Sequence, residues 1–312
     1  MTSIKFHLAT CVRNEGPYLL DWVLYHRTLG FHQITVYSND NTDDSNPLLE
    51  ALQKKGLITW IDRQMAEGES PQLTAYQDLS QKLFLSEQGA LSYLAWLDVD
   101  EYLVLKKDAS LQALLERYRC PDALLVNWMH FGSAGKTHWE NTATPLRFCH
   151  RAEKTALDKH FKSISKINSN IFRVLNNHRP ILKPQAVARI IYAADGESDL
   201  MPLDEVIKGQ NPVLIPDAPV CHSVCYLAHY ATRSREEFLW KQARGNGRLP
   251  LNSEKKHFLG SYFPQHDLND VHDTFAASKF SEVVGRLSNP DYSNLVNEFG
   301  PLAAQTIPSF SK

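Results

Sequence analysis

Read from the amino end, apolar and polar positions alternate between the two-residue rhythm of strands and the longer rhythm of helices. Phe6 to Val12 is an apolar, β-rich run that ends at the polar Arg13-Asn14-Glu15-Gly16-Pro17. A helix is expected from Tyr18, with Leu19, Trp22, Val23 and His26 on one face and Gly30 placed to stop it. Gln33 to Tyr37 reads as a second strand, and Ser38 to Asn46 as a loop dense in Asn and Asp. Pro47 to Lys55 reads as a short helix ended by Gly56, and Leu57 to Ile61 as a third strand. A helix is expected over Leu73 to Leu85, with Leu73, Tyr76, Leu83 and Phe84 as core contacts. Tyr93 to Leu97 is a compact apolar strand that runs into Asp98-Val99-Asp100-Glu101, and Tyr102 to Leu105 continues extended. Ser110 to Tyr118 reads as another helix and Ala123 to Met129 as another buried strand.

Strands alternating with helices over short connections predict an α/β fold, a mostly parallel sheet with helices on both faces. In such sheets ligands bind beyond the carboxyl ends of the strands. Three strand exits therefore matter: Arg13 to Glu15, Ser38 to Asp44, and Asp98 to Glu101, all of them polar. With no repeat and no clear linker, one domain with an elaborated C-terminal half is expected.

Composition narrows the function classes. The 312 residues carry 33 Lys and Arg against 35 Asp and Glu, a net charge of -2, so bulk attraction to nucleic acid is not expected. No apolar run approaches the roughly 20 residues that span a bilayer. Five scattered cysteines (Cys11, Cys120, Cys149, Cys221, Cys225) fit reduced thiols, so a soluble, cytoplasmic protein is expected. Charge is uneven, with nine Lys or Arg against two acids between Arg151 and Arg189. That stretch reads either as a solvated face or as a basic lobe for an anionic ligand or membrane surface, leaving peripheral docking at an inner membrane open.

Chemistry concentrates in Trp96-Leu97-Asp98-Val99-Asp100-Glu101-Tyr102. If the segment is strand, residues two apart share a side, so Asp98 and Asp100 present two carboxylates together. Such a pair is costly beside an apolar strand unless something positive binds, and Mg²⁺ or Mn²⁺ shared with substrate phosphates is the natural partner. Arg13 suits a phosphate, and Asn14 and Glu15 suit a ribose or base. Asn39 and Asp40 are expected to touch the same ligand, whereas Thr42 to Ser45 read equally well as turn and cap chemistry.

Further on, Cys221-His222-Ser223-Val224-Cys225 with His229 holds zinc-type ligands, although the spacing departs from the usual close Cys pairs. Ser234 with Glu237 is a capping-box pattern for a helix through Arg244. Lys241, Arg244 and Arg248 near its end read either as dipole-favoured cations or as a phosphate clamp. Gly132-Ser133-Ala134-Gly135-Lys136-Thr137 lacks the spacing of a phosphate loop and reads as a mobile acceptor loop, with Trp128, Phe131 and Trp139 as faces for sugar rings.

Thr10-Cys11-Val12-Arg13-Asn14-Glu15, Asp21 to Phe31, Val36-Tyr37-Ser38-Asn39-Asp40, Trp96 to Tyr102, Asn127 to Ser133 and His229 to Phe238 together resemble the family 2-type glycosyltransferases. More narrowly they are similar to the bacterial subgroup related to the family 92 glycosyltransferases. The resemblance covers residues 6 to 250. It implies a GT-A fold over residues 1–250, with a nucleotide-sugar-binding half to about residue 130, an acceptor half after it, and a helical extension over 251–312. It implies sugar transfer from a nucleotide-sugar donor, UDP-hexoses ahead of dTDP- or GDP-sugars, to a glycan or glycolipid acceptor in cell-surface polysaccharide synthesis. Asp98 and Asp100 would hold Mn²⁺ or Mg²⁺ on the donor diphosphate, His229 would complete that site, and Arg13, Asn14, Glu15, Asn39, Asp40 and Asp98 would bind the donor. The resemblance also implies inversion at the anomeric centre, with a carboxylate as base. Among Glu140, Asp158, Asp195, Glu197 and Asp199, Asp195 stands first, in a charged turn. Two other functions fit the residues: sugar-nucleotide nucleotidyl transfer, and non-catalytic glycan binding on a related scaffold. The sugar, the acceptor, the linkage and the oligomeric state are not legible.

Overall fold

The computed structural model describes residues 4–195, 220–250, 260–287 and 289–307. Its first half alternates as expected: β1 (Lys5–Val12), α1 (Gly16–Leu29), β2 (Gln33–Asn39), α2 (Ser45–Lys54), β3 (Thr59–Arg63), α3 (Pro71–Ser86) and β4 (Ser92–Trp96). Then come β5 (Glu101–Leu105), α4 (Leu111–Arg117), β6 (Ala123–His130), α5 (Thr144–Arg147), β7 (His150–Arg151), β8 (Phe161–Lys166), β9 (Phe172–Val174), β10 (Ile181–Leu182) and β11 (Ile190–Tyr192). The C-terminal part adds β12 (Cys225–His229), α6 (Arg235–Arg244), α7 (Tyr262–His266), β13 (Val271–His272), α8 (Phe275–Val284) and α9 (Asn289–Gln305).

Nine strands form one sheet in the order β3-β2-β1-β4-β8-β6-β12-β5, with β11 beside the first half of β6. It is mostly parallel, as predicted, and only β8 and β5 run against the rest. Strand periodicity divides the core between the two faces. Leu8, Leu124 and Val126 face the core under α1, α2, α4, α8 and α9, whereas Ala9, Ala123 and Leu125 face a second core under α3 and the β9–β11 segment.

α1 starts at Gly16, two residues before the expected Tyr18, because Pro17 is favourable in a first helical turn. Gly30, at φ 121°, ends it. Its buried face does more than fill space. β5 is an edge strand, and an exposed edge leaves backbone donors and acceptors without partners. Trp22 Nε1 donates to the Glu101 carbonyl at 2.9 Å and Tyr25 Oη donates to the Leu103 carbonyl at 2.7 Å. His26 Nε2 accepts from Leu103 N–H at 3.4 Å. One helix face thus supplies the hydrogen bonds of a missing strand.

The helices after residue 260 pack onto the core. Phe280 and Val283 of α8 and Phe299 and Ala303 of α9 are buried against α1 and its neighbours. Thr306 lies so close to Gly16 that any side chain there would collide with it. Among the described residues, no helix is long and apolar enough to cross a membrane.

Candidate active site

The topology collects the polar residues at one edge of the sheet. The carboxyl ends of β1, β2, β4, β6 and β12 meet there, together with the amino ends of the reversed strands β8 and β5. Arg13 to Glu15, Asn39 and Asp40, Asp98 to Glu101, His130, Lys162 and His229 are consequently neighbours along that edge.

Asp98 to Glu101 is a tight turn, not the strand that the two-residue spacing assumed. Glu101 N–H donates to the Asp98 carbonyl at 2.9 Å, and Asp98 N–H donates to Glu101 Oε2 at 2.9 Å. Arg233 Nη2 donates to the Val99 carbonyl at 3.1 Å, and Tyr230 N–H donates to the Asp100 carbonyl at 2.9 Å. The turn carries the chain from the sheet centre at β4 to its edge at β5, so the two aspartates turn toward different partners.

Asp98 meets Lys162 at the start of β8, with Nζ 2.7 Å from Oδ2. The same ammonium, 1% exposed, lies 3.2 Å from Glu101 Oε2. Burial pushes the Glu101 carboxyl up to about 8 against the pull of Lys162. Asp98 therefore does not join Asp100 through a shared pleat, as expected, but is held by a lysine. Asp100 points to β12 and α6. Lys241 Nζ lies 2.7 Å from Oδ2, and His229 Nε2 stands 3.8 Å from Oδ1, beyond hydrogen-bond reach. Against the penalty of burial, Lys241, then His229 and Arg233, hold the Asp100 carboxyl far below the usual range.

His229 is backed by a chain of polar contacts. Its Nδ1 lies 3.3 Å from His130 Nε2, and His130 Nδ1 lies 2.9 Å from Asp158 Oδ1. Parallel pairing of β12 with β6 puts the two histidines in register. Burial pushes His229 well below the ordinary imidazole pKa.

Asp100 and His229 fit a divalent cation. His229 Nε2 and Asp100 Oδ1 face each other across 3.8 Å, a nitrogen and an oxygen of the kinds that ligate such ions. Among the described residues no three His, Cys, Asp or Glu side chains close a complete metal cage. Mn²⁺ or Mg²⁺ would take its remaining ligands from phosphate and water, which is how these ions usually bind.

The other expected donor contacts lie at the same edge, with most of their polar atoms engaged inside the protein. Arg13 donates to the carbonyls of Asp40 and Arg244 at 3.3 and 3.1 Å. Asn14 staples two loops through the Asn41 side chain and Thr42. Glu15 is buried against Arg244, and Asn39 donates to Asp40 Oδ2 at 3.0 Å. Asn14 and Asp40 both adopt positive φ, a conformation Asn and Asp tolerate better than most residues.

Several expectations are corrected. Asp195 lies at the opposite edge of the sheet, its Oδ2 2.6 Å from Lys107, beyond the carboxyl end of β5. Since Glu101 opens β5 at the site, the strand alone, about 13 Å long, separates Asp195 from the aspartates, and it cannot serve as their base. Glu140 pairs with Lys136 and Asp158 with His130, while Glu197 and Asp199 lie outside the described residues. The zinc reading fails because Cys225 is at the start of β12 and His229 at its end, and His222 Nε2 contacts the Trp128 carbonyl at 2.7 Å. The Gly132 loop is pinned: Ser133 N–H and Ala134 N–H donate to Asp267 and Asn269 side chains at 2.6 and 2.7 Å. Phe131 is fully buried, and Trp128 stacks on His160, with ring centres 4.9 Å apart, and meets His229 at 4.2 Å. Phe131 thus offers no face to a sugar, and Trp128 has its ring against two histidines.

Lys162, His130 and Arg233 complete the site and were not singled out by sequence. The expected capping box forms at the start of α6, and of its three cations Lys241 meets Asp100 and Arg244 meets Glu15. A signal for Lys162 existed in the basic stretch after Arg151, but nothing local distinguishes it from its eight basic neighbours.

A profile of glycosyltransferase family 92 matches residues 8–191. A family 92 protein of Ricinus communis is 25% identical over 179 residues, covering 54% of this chain and 30% of its own. A second, from Oryza sativa subsp. japonica, is 23% identical over 139 residues, covering 42% of this chain and 22% of its own. The chain thus spans less than a third of the length of these curated plant relatives. Among solved structures, S. aureus TarS 1-349 in complex with UDP is 12% identical and covers 61% of each chain at a TM-score of 0.34.

Proposed function

The chain belongs to glycosyltransferase family 92, and we propose that it transfers a sugar from a nucleotide-sugar donor to a glycan or glycolipid acceptor at the carboxyl edge of its sheet. The observation that carries this reading is the confrontation of Asp100 Oδ1 and His229 Nε2 across 3.8 Å, flanked by buried cations. A Mn²⁺ or Mg²⁺ held there would offset the charge that builds on the departing diphosphate.

The chain's own residues do the rest. Lys241 occupies Asp100 Oδ2, so the carboxylate keeps one oxygen turned to His229. Lys162, paired with Asp98 and Glu101, Lys241, paired with Asp100, and Arg233 place three cationic side chains at this edge, where a diphosphate could take them as partners. Arg13 lines the same edge, and Asp98, half-exposed behind Lys162, is the accessible carboxylate for donor hydroxyls. Inversion, which the sequence resemblance implies, requires a carboxylate to take the acceptor proton. Uridine diphosphate is the first donor product to test for the same reason.

Thermal shifts with UDP, GDP, dTDP and CMP, each with and without Mn²⁺, test the reading by mass action. Stabilisation by one diphosphate that depends on metal is expected, lost in Asp100→Asn and weakened less in Asp98→Asn. Release of a nucleoside diphosphate from the donor is expected in turnover. Inorganic pyrophosphate instead would make the protein a nucleotidyltransferase, and no shift with any nucleotide would leave a glycan-binding scaffold.

A further inference from the structure

We propose that His130 and Asp158 form a buried positioning relay that fixes the proton of His229 on Nδ1 and so keeps its Nε2 free to take a metal ion. The inference rests on the reading of Asp100 and His229 as metal ligands and concerns residues behind them that touch neither metal nor donor.

The proton placement follows from acceptors. Asp158 Oδ1 lies 3.1 Å from the backbone nitrogen of His130 and 2.9 Å from its Nδ1, so both bonds converge on one carboxylate oxygen. A carboxylate only accepts, and His130 Nδ1 therefore carries a proton. His130 Nε2, on the far side of the ring, lies 3.3 Å from His229 Nδ1, and a ring whose single proton is spent on Asp158 can only accept there. In this arrangement His229 Nδ1 is the donor, and its Nε2, 3.8 Å from Asp100 Oδ1, is left bare.

The relay is anchored as a rigid part should be. His130 is 0% exposed and Asp158 5%, and both sit on regular backbone: the carboxyl end of β6 and a 3₁₀ turn, residues 156–159, capped by Thr155. Asn127, also on β6, donates to the Asp158 carbonyl at 3.1 Å. Such outer partners of a metal-ligating histidine set its ring orientation and tautomer, and their loss typically weakens metal affinity about 10- to 100-fold. A purely structural role would need only the backbone bond from His130 to Asp158. Both rings also pack on Trp128, with ring centres 5.5 and 4.2 Å away, but packing does not require that their nitrogens line up from Asp158 toward Asp100.

The test reads the proton and the metal separately. In the unliganded wild type, ¹⁵N NMR of the His229 ring is expected to show the proton on Nδ1. In His130→Phe, which keeps the ring shape and removes both nitrogens, the proton should move to Nε2. Mn²⁺ affinity in the presence of UDP, read from the EPR signal of free Mn²⁺, should then fall at least about 10-fold. Asp158→Asn, whose amide oxygen can accept both His130 bonds, should keep the tautomer and most of the affinity. A wild-type proton on Nε2 overturns the proposal, and this measurement stands even if the variants fail to fold. A folded His130→Phe that binds Mn²⁺ like wild type while His229→Ala does not overturns the relay and spares the metal site. Wild-type affinity in His229→Ala removes the metal site itself, and the relay with it.

Discussion

His26 sits where no charge is tolerated. It is fully buried, its Nδ1 donates to the Trp22 carbonyl at 2.9 Å and its Nε2 accepts from Leu103, so both ring nitrogens are committed in the neutral form. Burial pushes its pKa from 6.5 down to about 3. The folded pKa lies below the unfolded one, so the neutral ring stabilises the fold fully above about pH 6.5. That contribution is lost at about 1.4 kcal/mol per pH unit as pH falls toward about 3. Its ring NMR signals should stay unchanged between about pH 8 and about pH 5, and titration near 6.5 in folded protein would sink the assignment. At the other sheet edge, Asp195→Asn should leave turnover within about twofold, as expected of a surface substitution; a large loss in the same assay would bring Asp195 back as a catalytic group. Asp100 and His229, the ligands of the proposed metal site, were legible because each lies in a short motif. Lys162 and His130 were not, because their partners Asp98 and Asp158 are 64 and 28 residues away and meet them only through sheet topology.

At the scale of elements, α6 is the piece that brings cations to the site, and its seating is set at its first turn. Ser234 and Glu237 exchange capping bonds, and Glu237 also takes a two-pronged contact from Arg147 of α5, both bonds at 2.8 Å and both side chains buried. Removing one member of such a pair strands a buried charge. Arg147→Met should therefore cost about 3–5 kcal/mol, read as a lower urea midpoint, whereas Ser234→Ala should cost only about 1 kcal/mol. Equal costs would mean that the ion pair is not seated as described. The capping box was visible in sequence because it spans three residues; Arg147, 90 residues from Glu237, carried no local sign. Up to residue 130, helix and strand positions were likewise readable to within a few residues. The location of β5 was not, since a tight turn separates two strands that are contiguous in sequence and distant in the sheet.

The whole molecule was readable as a class, a mostly parallel sheet between helical layers, because nearly every strand is an apolar run and nearly every helix shows one apolar face. Its closure was not. The expected C-terminal extension is a cover: α9 lies on α1 and α2, with Phe299, Ala303 and Thr306 buried. A chain ended after residue 287 should consequently melt well below the full one and tend to aggregate, as the uncovered faces of α1 and α2 meet water. Equal melting temperatures by calorimetry would show the helix to be dispensable.

The edge position of β5 also sets an order of assembly. Its sheet partner is β12, with Leu105 opposite Cys225, about 120 residues of chain later. A pairing that long is slow to close. On the ribosome, where the amino end emerges first, Tyr102 to Leu105 must therefore wait with one side unpaired, shielded on the other by Trp22, Tyr25 and His26 of α1. The turn bearing Asp98 and Asp100 is complete only when β12 arrives, which makes the candidate site the last region to mature. Newly made chains would pass through a stage that is largely structured, lacks the candidate site and is open to capture at one strand.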